Sequence, residues 1–259
     1  MKASRLLRAL ARWHRWLGMA AMVFLIWLGV SGFLIHRGAI IGLEKPVQSA
    51  WILDHYRIGN PNVVAFEVNG RWISQAGKSL YLDRQRIAGL SEPLVGAAHP
   101  PGLLVIASRE QVMMFDEQGR LVETLRSEHG LPPGIRAMGL RGNRMVLETF
   151  AGRYEADAAE LQWRPVRTTV KPLTAAEPPV ALRNEIVQDA RSREISRERV
   201  LRDMHSGSFF GAVGQWVVDI AALALLTLSV TGVWLWLRKQ REFGGNKAPK
   251  AGRRVRLAK

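Results

Sequence analysis

The sequence predicts a membrane protein in which two transmembrane α-helices flank an exported, mainly antiparallel β domain. Residues 16–35 carry no charge, and twenty helical residues span about 30 Å, the thickness of a bilayer core. A second apolar run over residues 209–237 is interrupted only by Gln215 and Asp219. Between these runs the hydrophobic period changes from helical to two, which is typical of strands.

The distribution of charge predicts the orientation of the two spans. The formal net charge is +15, and most of the excess lies in residues 1–15 and 238–259, while the region between the spans is nearly balanced. Basic segments at the outer ends of both spans are typical of termini that stay in the cytoplasm, where they also contact anionic lipid head groups. The charge therefore favours contact with the lipid bilayer and not a nucleic-acid partner.

The pattern of periods and turns divides the chain into six segments. The first apolar run is too long for a signal peptide core and lacks a small-residue cleavage site, so we expect an uncleaved anchor. The predicted segments are a basic cytoplasmic lead-in (1–15), transmembrane helix 1 (16–36), the exported β domain with a proline-rich linker (37–182), a charged amphipathic helix (183–207), transmembrane helix 2 (208–237) and a basic cytoplasmic tail (238–259).

The β domain is predicted to be an antiparallel meander or sandwich, with a partial propeller-like array as the alternative. Asn69-Gly70 marks a tight hairpin turn between alternating strands. A weak internal echo relates residues 79–83, 111–116 and 152–157 at uneven spacings. Fewer than about four repeats seldom close a propeller, so the meander or sandwich is the preferred interpretation.

Absence of cysteine limits the redox chemistry that this chain can support. The sequence has no cysteine, which excludes disulfides, cysteine-ligated iron–sulfur clusters and thioether-attached haem. A redox centre would have to be held by histidine, methionine or carboxylate side chains.

Histidines at both ends of the first span lie on one predicted helical stripe with small residues. At about 100° per residue, the stripe that begins at His14 contains Gly18, Met22, Leu25, Gly29, Gly32 and His36. A smooth face of this kind suits a flat macrocycle, and it equally suits a tightly packed helix with polar ends at the membrane interfaces. Gly29 and Gly32 would allow another helix to approach closely.

The second span carries a stripe of its own. If one helix continues from His205, the stripe contains Ser208, Ala212, Gln215, Asp219, Ala222, Leu226, Ser229 and Val233. An ionisable residue in a membrane must face protein or water, and we expect Asp219 to lie at a shallow depth near the exported face. Asp219 is predicted to bond Ser31 or a tryptophan indole, to handle protons, or to orient a metal-bound histidine.

Two imidazoles at the exported face suggest a haem site. His36 and His205 are predicted at the same membrane surface, where neutral imidazoles on neighbouring helices would ligate a haem b iron. His14 lies at the other face, so a second haem there would need His14 of another copy and implies a homo-dimer. The alternative is that all three side chains are interfacial and bind lipid head groups.

Motifs near the two ends of the chain resemble one known family. Residues 13–18 (WHRWLG) and 30–34 (VSGFL) resemble the first helix of the PepSY-associated transmembrane helix family. Residues 203–207 (DMHSG) with 209–211 (FFG), and 230–236 (VTGVWLW), are similar to its later signatures. The similar regions cover about 65 residues at the two ends.

The resemblance implies a bacterial inner-membrane protein with a periplasmic central domain. Some members are similar to haem-dependent reductases that pass electrons to ferric siderophores, which would make His14, His36 and His205 candidate axial ligands. This chain has two spans where larger members have four, so a homo-dimer packed through Gly18, Gly29 and Gly32, or a partner membrane subunit, would complete the bundle. The alternative, which belongs to a different class of function, is a membrane-anchored exported β domain that acts as a sensor, assembly factor or scaffold without a redox cofactor.

Overall fold

The computed structural model describes residues 2–157, 162–167 and 172–244, which form two compact units. A helical unit combines the two ends of the chain, Met1–Lys45 and Ser196–Lys259, and a β unit comprises Pro46–Ile195. The helices are α1 (Lys2–His36), α2 (Gly38–Ile41), α3 (Ala50–His55), α4 (Val180–Ser192), α5 (Arg197–His205) and α6 (Gly211–Gly244). Part of the predicted basic tail, residues 245–259, lies outside the described residues.

The helical unit is built on an antiparallel pair formed by α1 and α6. The predicted lead-in and first span form one continuous helix, because no glycine or proline interrupts residues 2–17. Two candidate membrane spans, Arg8–His36 and Ser208–Arg241, are long and apolar enough to cross a bilayer. Their apolar side chains are mostly exposed, as expected for helices that contact lipid.

The predicted charged helix over 183–207 is instead two helices, α4 and α5. The hydroxyl of Ser196 accepts a hydrogen bond from the Arg199 amide and so caps the start of α5. A second interruption separates α5 from α6, because Gly207 and Gly211 have φ values of +78° and +69°. A Cβ at Gly207 would overlap the carbonyl oxygen of Gly214, so only glycine fits there. The prediction that one helix continues from His205 into the second span is therefore wrong, because α5 ends at His205 and α6 begins at Gly211.

The β unit contains three four-stranded antiparallel sheets, each a simple meander. The sheets follow one another along the chain and comprise β1 (Val63–Val68), β2 (Arg71–Ala76), β3 (Ser79–Leu82) and β4 (Gln85–Gly89); β5 (Leu94–Ala98), β6 (Leu104–Ser108), β7 (Val112–Phe115) and β8 (Leu121–Leu125); and β9 (Ile135–Arg141), β10 (Arg144–Thr149), β11 (Arg153–Asp157) and β12 (Arg164–Val166). This arrangement confirms two candidate spans flanking a mainly antiparallel β domain.

The predicted turn at Asn69-Gly70 is present and joins β1 to β2. Both residues have positive φ, +50° and +73°, and Val68 pairs with Arg71 across the turn. Two consecutive left-handed residues match the right-handed twist of the strands, which is why Asn-Gly is favoured in such hairpins.

Apolar faces of the three sheets pack against one another in sequence. One core joins the first and second sheets through residues such as Ile73, Leu80 and Ile106, and another joins the second and third through residues such as Val105 and Leu147. The first strands of successive sheets are neighbours, so the stack corresponds to the partial propeller-like alternative and not to a two-sheet sandwich.

A helix covers one end of this stack of sheets, and ion pairs lie at the other end. Helix α4 lays Leu182, Ile186 and Ala190 on the free face of the first sheet. On the face of the third sheet that points away from the shared core, the buried Glu155 forms ion pairs with Arg141 and Arg144. Polar or helical end caps let a short array remain soluble without closing into a ring.

Candidate functional site

Two of the three histidines singled out by the sequence lie in contact with the α1–α6 pair. The pair is antiparallel, and a Cβ on Gly18 of α1 would lie 3.9 Å from the Leu228 side chain of α6. We call the end where α1 ends and α6 begins the loop end, and the opposite end the terminal end. His14 lies near the terminal end and His205, on α5, lies near the loop end.

At the terminal end, His14 lies over a Thr-Gly step of α6. Its Nδ1 is 2.9 Å from the Thr231 hydroxyl. The ring also lies against Gly232, where a Cβ would be 3.3 Å from the imidazole Cε1. Glycine therefore provides the space in which the imidazole packs against the neighbouring helix.

At the loop end, His205 lies over a Ser-Gly step of α1 in the same way. Its Nδ1 is 2.7 Å from the hydroxyl of Ser31, a residue that is fully buried. A Cβ at Gly32 would lie 3.6 Å from the Cε1 of His205. Each end of the helix pair thus presents one imidazole packed on a hydroxyl residue followed by glycine.

The hydroxyl protons indicate which imidazole nitrogen is protonated. Ser31 donates its hydroxyl to the Trp27 carbonyl at 2.6 Å, and Thr231 donates to the Thr227 carbonyl at 2.8 Å. Since a hydroxyl has one proton, each oxygen is left to accept a hydrogen bond from the neighbouring Nδ1–H. In this arrangement Nε2 is the ring nitrogen that neither hydroxyl contacts.

These two imidazoles define separate sites. Ser31 follows His14 by seventeen residues of α1, which corresponds to about 25 Å along the helix axis. No single small group therefore contacts both rings.

His36 lies at the same end of α1 as the Ser31-Gly32 step that His205 contacts. His36 is exposed at the last residue of α1, five residues beyond Ser31. His36 follows Gly32, which the His205 ring contacts, by four residues, or about 40° around α1 and 6 Å along it. The pairing of His36 with His205 in one haem site therefore stays a prediction.

The predicted glycine ridge of α1 is largely used within the chain. Gly18 faces α6 and Gly32 faces His205, whereas a Cβ at Gly29 would meet nothing within 4 Å. A packing face for a second copy made of these three glycines is therefore wrong for Gly18 and Gly32, since other parts of the same chain already occupy them.

Asp219 lies on the face of α6 turned away from α1. It precedes the buried residue Ala221 by two positions, which places it about 160° around the helix from that contact face. The pairing of His14 with Thr231 and of Gly18 with Leu228 puts Asp219 level with Trp27. Asp219 lies eight residues into α6, or about 12 Å from its start, and it does not bond Ser31, whose hydroxyl contacts His205 and Trp27.

The family can now be assigned. The model of the PepSY-associated TM region matches residues 11–258. The chain belongs to this family. Membership identifies this PepSY-associated TM protein as a membrane protein, in agreement with the two candidate spans. None of the curated proteins matches the chain.

Solved structures with some similarity to this PepSY-associated TM protein are distant. Kluyveromyces lactis Hsv2 with a complete loop 6CD is 16% identical, with a TM-score of 0.29 over 44% of this chain and 37% of that one. The N-terminal domain of Nup159 is 10% identical, with a TM-score of 0.29 over 46% and 32%. Ph1500, a homohexameric protein centred on a 12-bladed β-propeller, is 11% identical, with a TM-score of 0.20 over 42% and 86%. This chain spans well under half the length of the first two.

Sequence reasoning identified both imidazoles but missed their hydroxyl partners. Ser31-Gly32 and Thr231-Gly232 are the same two-residue pattern, one in each span. That match was the available signal, because a small residue after a back-bonded hydroxyl leaves room for an aromatic ring from the neighbouring helix.

Proposed function

We propose that this PepSY-associated TM protein binds haem b and transfers electrons across the membrane, as a reductase or a reductase subunit. One observation carries the proposal. At each end of the helix pair an imidazole is fixed through Nδ1 by a hydroxyl, which leaves Nε2 for an iron.

The residues at these two ends fit axial ligation of haem. Histidine is the usual protein ligand of b-type haem iron, and a second hydrogen bond to the ring commonly fixes its tautomer and orientation. Gly32 and Gly232 leave room for each ring to pack against the neighbouring helix. His205 and His14 would each supply one ligand, and haem supplies one-electron chemistry when bound.

A second imidazole at the terminal end would come from outside the α1–α6 pair, whereas at the loop end His36 remains the candidate second ligand of the sequence prediction. His14 and His205 lie about 25 Å apart, so neither ring completes the site of the other. We propose that another membrane subunit or a second copy provides the missing imidazole at the terminal end. Sites near both ends of a membrane-spanning pair are the arrangement that transfer across the bilayer requires.

The location and substrate are proposed from charge and from the family resemblance. The basic terminal segments favour an inner membrane orientation with both termini in the cytoplasm and the β unit in the periplasm. A ferric siderophore or another exported metal complex is the proposed electron acceptor, by similarity to iron-uptake-linked reductases.

Substitution of the histidines tests this proposal. We expect His14→Ala and His205→Ala each to remove or alter one haem signal in the absorption spectrum of the purified protein, because each removes one iron ligand. The exposed His129 of the β unit provides the matched control, and His129→Ala should leave the spectrum unchanged.

His36→Ala separates this assignment from the pairing suggested by the stripe. We expect His36→Ala to alter the haem signal less than His205→Ala does, because His36 is exposed whereas the Nδ1 of His205 is held by the Ser31 hydroxyl. A spectrum that loses a haem with His36→Ala and keeps both with His205→Ala would contradict the assignment.

A further inference from the structure

The chain reverses sharply where α5, which carries His205, gives way to α6. His205 is the last residue of α5, and α6 begins at Gly211. Gly207 and Gly211 have φ values of +78° and +69°, and the Phe210 amide donates a hydrogen bond to the Gly207 carbonyl at 3.0 Å. The turn between the two helices is therefore tight, and the end of α5 must follow any movement of Gly207.

Backbone contact between Gly207 and Gly214 holds this turn against the start of α6. A Cβ on Gly214 would overlap the carbonyl oxygen of Gly207 and would lie 2.7 Å from the Cβ of Phe210. Gly214 is buried within a regular helix, where glycine is less favourable than alanine and has no conformational advantage. Glycine at this position is therefore explained by the lack of space between the two backbones.

On its other side, the end of α5 lies against α1. The Nδ1 of His205 is 2.7 Å from the hydroxyl of the fully buried Ser31. A Cβ on Gly32 would lie 3.6 Å from the Cε1 of the same ring, which is an ordinary van der Waals distance. The end of α5 is thus held between α6, where no atom can be added, and α1, where a methyl group fits.

We propose that Gly214 is a positioning residue for His205, because its contact with Gly207 keeps the imidazole within hydrogen-bond distance of Ser31. A methyl group at position 214 must push Gly207 away from α6, since well-packed backbones yield to an added group only by moving. His205 is only two residues before Gly207, so its ring moves too, and hydrogen bonds weaken steeply as their geometry changes.

Polar contacts within the turn connect Gly207 to the last turn of α5. The Ser208 hydroxyl is 2.8 Å from the Ser206 hydroxyl and donates to the Asp203 carbonyl at 3.3 Å. These contacts make the turn and the end of α5 move together. The consequence for haem rests on the proposed function, because it assumes that His205 is an iron ligand, whereas the positioning of the ring does not.

Disulfide formation tests the positioning without haem, since the chain has no cysteine of its own. The double variant Ser31→Cys, His205→Cys places one thiol on each side of the contact, and disulfide geometry tolerates little displacement. On this background we expect Gly214→Ala to lower the disulfide yield several-fold. The matched control Gly29→Ala should leave the yield unchanged, because a Cβ there meets nothing within 4 Å.

Haem spectra and midpoint potentials test the consequence for the ligand. Gly32 contacts the His205 ring and Gly214 does not, so a role through direct contact predicts the larger effect for Gly32→Ala. We expect the reverse, with Gly214→Ala shifting the midpoint potential of the haem bound through His205 and Gly32→Ala leaving it near wild type. The signal of haem bound through His14 should stay unchanged in both variants and so reports that the protein is folded.

Equal disulfide yields with Gly214→Ala and Gly29→Ala, or a potential that responds more to Gly32→Ala, would overturn the proposal. If Gly214→Ala does not fold, Ser208→Ala takes its place, because it removes the polar contacts of the turn without adding an atom. It should lower the disulfide yield by a smaller factor, and an unchanged yield would likewise overturn the proposal. A yield that responds in a protein without haem would support the positioning and contradict the proposed function.

Discussion

Ser31 and Thr231 each have one hydroxyl proton, and its direction decides what the neighbouring imidazole can do. Each hydroxyl lies within hydrogen-bond distance of the backbone carbonyl four residues earlier in the same helix, at 2.6 Å for Ser31 and 2.8 Å for Thr231. This local preference of serine and threonine in helices is the reason that the oxygen faces His205 or His14 as an acceptor. A histidine that donates from Nδ1 is a ready ligand through Nε2, so two ordinary helix contacts produce two candidate ligand sites.

Tyr81 also has a hydroxyl proton with a defined acceptor, in the β unit. Its buried hydroxyl donates to Asp189 at 2.8 Å, and Asp189 also accepts from Arg193 at 2.7 Å. Burial, and then the hydrogen bond to Asp189, raise the pKa of Tyr81 to about 12. Burial alone would raise the pKa of Asp189, but the hydrogen bonds from Arg193 and Tyr81 outweigh it and lower that pKa.

Tyr81→Phe should therefore destabilise the β unit by about 1–2 kcal/mol, because it removes a hydrogen bond to a charged group. The raised pKa means that this contribution is complete below about pH 10 and is lost as pH rises through 12. Denaturant unfolding followed by tryptophan fluorescence should show the difference between variant and wild type at pH 8, and a smaller difference at alkaline pH.

Tyr154→Phe is the control for Tyr81→Phe. Tyr154 is half-buried in the third sheet and far along the chain from α4. Equal losses of stability in the two variants, or a loss with Tyr81→Phe that does not shrink at high pH, would contradict the role assigned to the Asp189 hydrogen bond.

Helices α1 and α6 fit each other because glycine is placed where an imidazole must lie. At Gly232 a Cβ would meet the His14 ring at 3.3 Å, which is closer than an ordinary contact. We expect Gly232→Ala to push the imidazole away from Thr231 and to destabilise the helix pair by about 1–3 kcal/mol. Haem bound through His14 should decrease correspondingly in the purified protein.

Gly29→Ala is the matched control, since a Cβ there meets nothing within 4 Å. It lies in the same span and makes the same chemical change. Haem content and the resistance of the helix pair to denaturing detergent should both remain at the wild-type level. A Gly232→Ala protein that behaves as Gly29→Ala does would show that His14 does not depend on this close contact.

At the level of elements, the sequence predicted local features such as turns and strands, but it did not predict contacts between one element and another. The Asn69-Gly70 turn and the echo at residues 79–83, 111–116 and 152–157 were visible in sequence, and the echo marks the third strand of each sheet. The break between α5 and α6 was not predicted, because stepping along a helical stripe carries no information on the left-handed φ of Gly207. The partner of His205 lies 174 residues away, beyond the reach of any periodicity.

At the level of the whole molecule, the β unit is a short array that is capped instead of closed. Alternating apolar positions predicted strands, but both faces of the middle sheet are buried, and only the packed structure shows which sheets share a core. Helix α4 covers one end and ion pairs cover the other. The sequence predicted a charged helix and shows alternating charges in the third sheet. It did not show that these features cover the two ends of the stack.

The two faces of α6 carry different kinds of residue. One face of α6 contacts α1 and carries Thr231 and Gly232 beside His14, while the opposite face carries Gln215 and Asp219. An anchor alone needs neither feature, since apolar side chains suffice to hold a helix in lipid. Both faces therefore carry residues that an anchor does not require.

A reduced-minus-oxidised absorption spectrum of the detergent-purified full chain, with its haem-to-protein ratio, tests the central claim most directly. The account predicts a sharp α-band typical of low-spin b-type haem and a stoichiometric amount of haem. A featureless spectrum after expression with ample haem would contradict it, and the β unit would then be the part of the protein in which to seek its function.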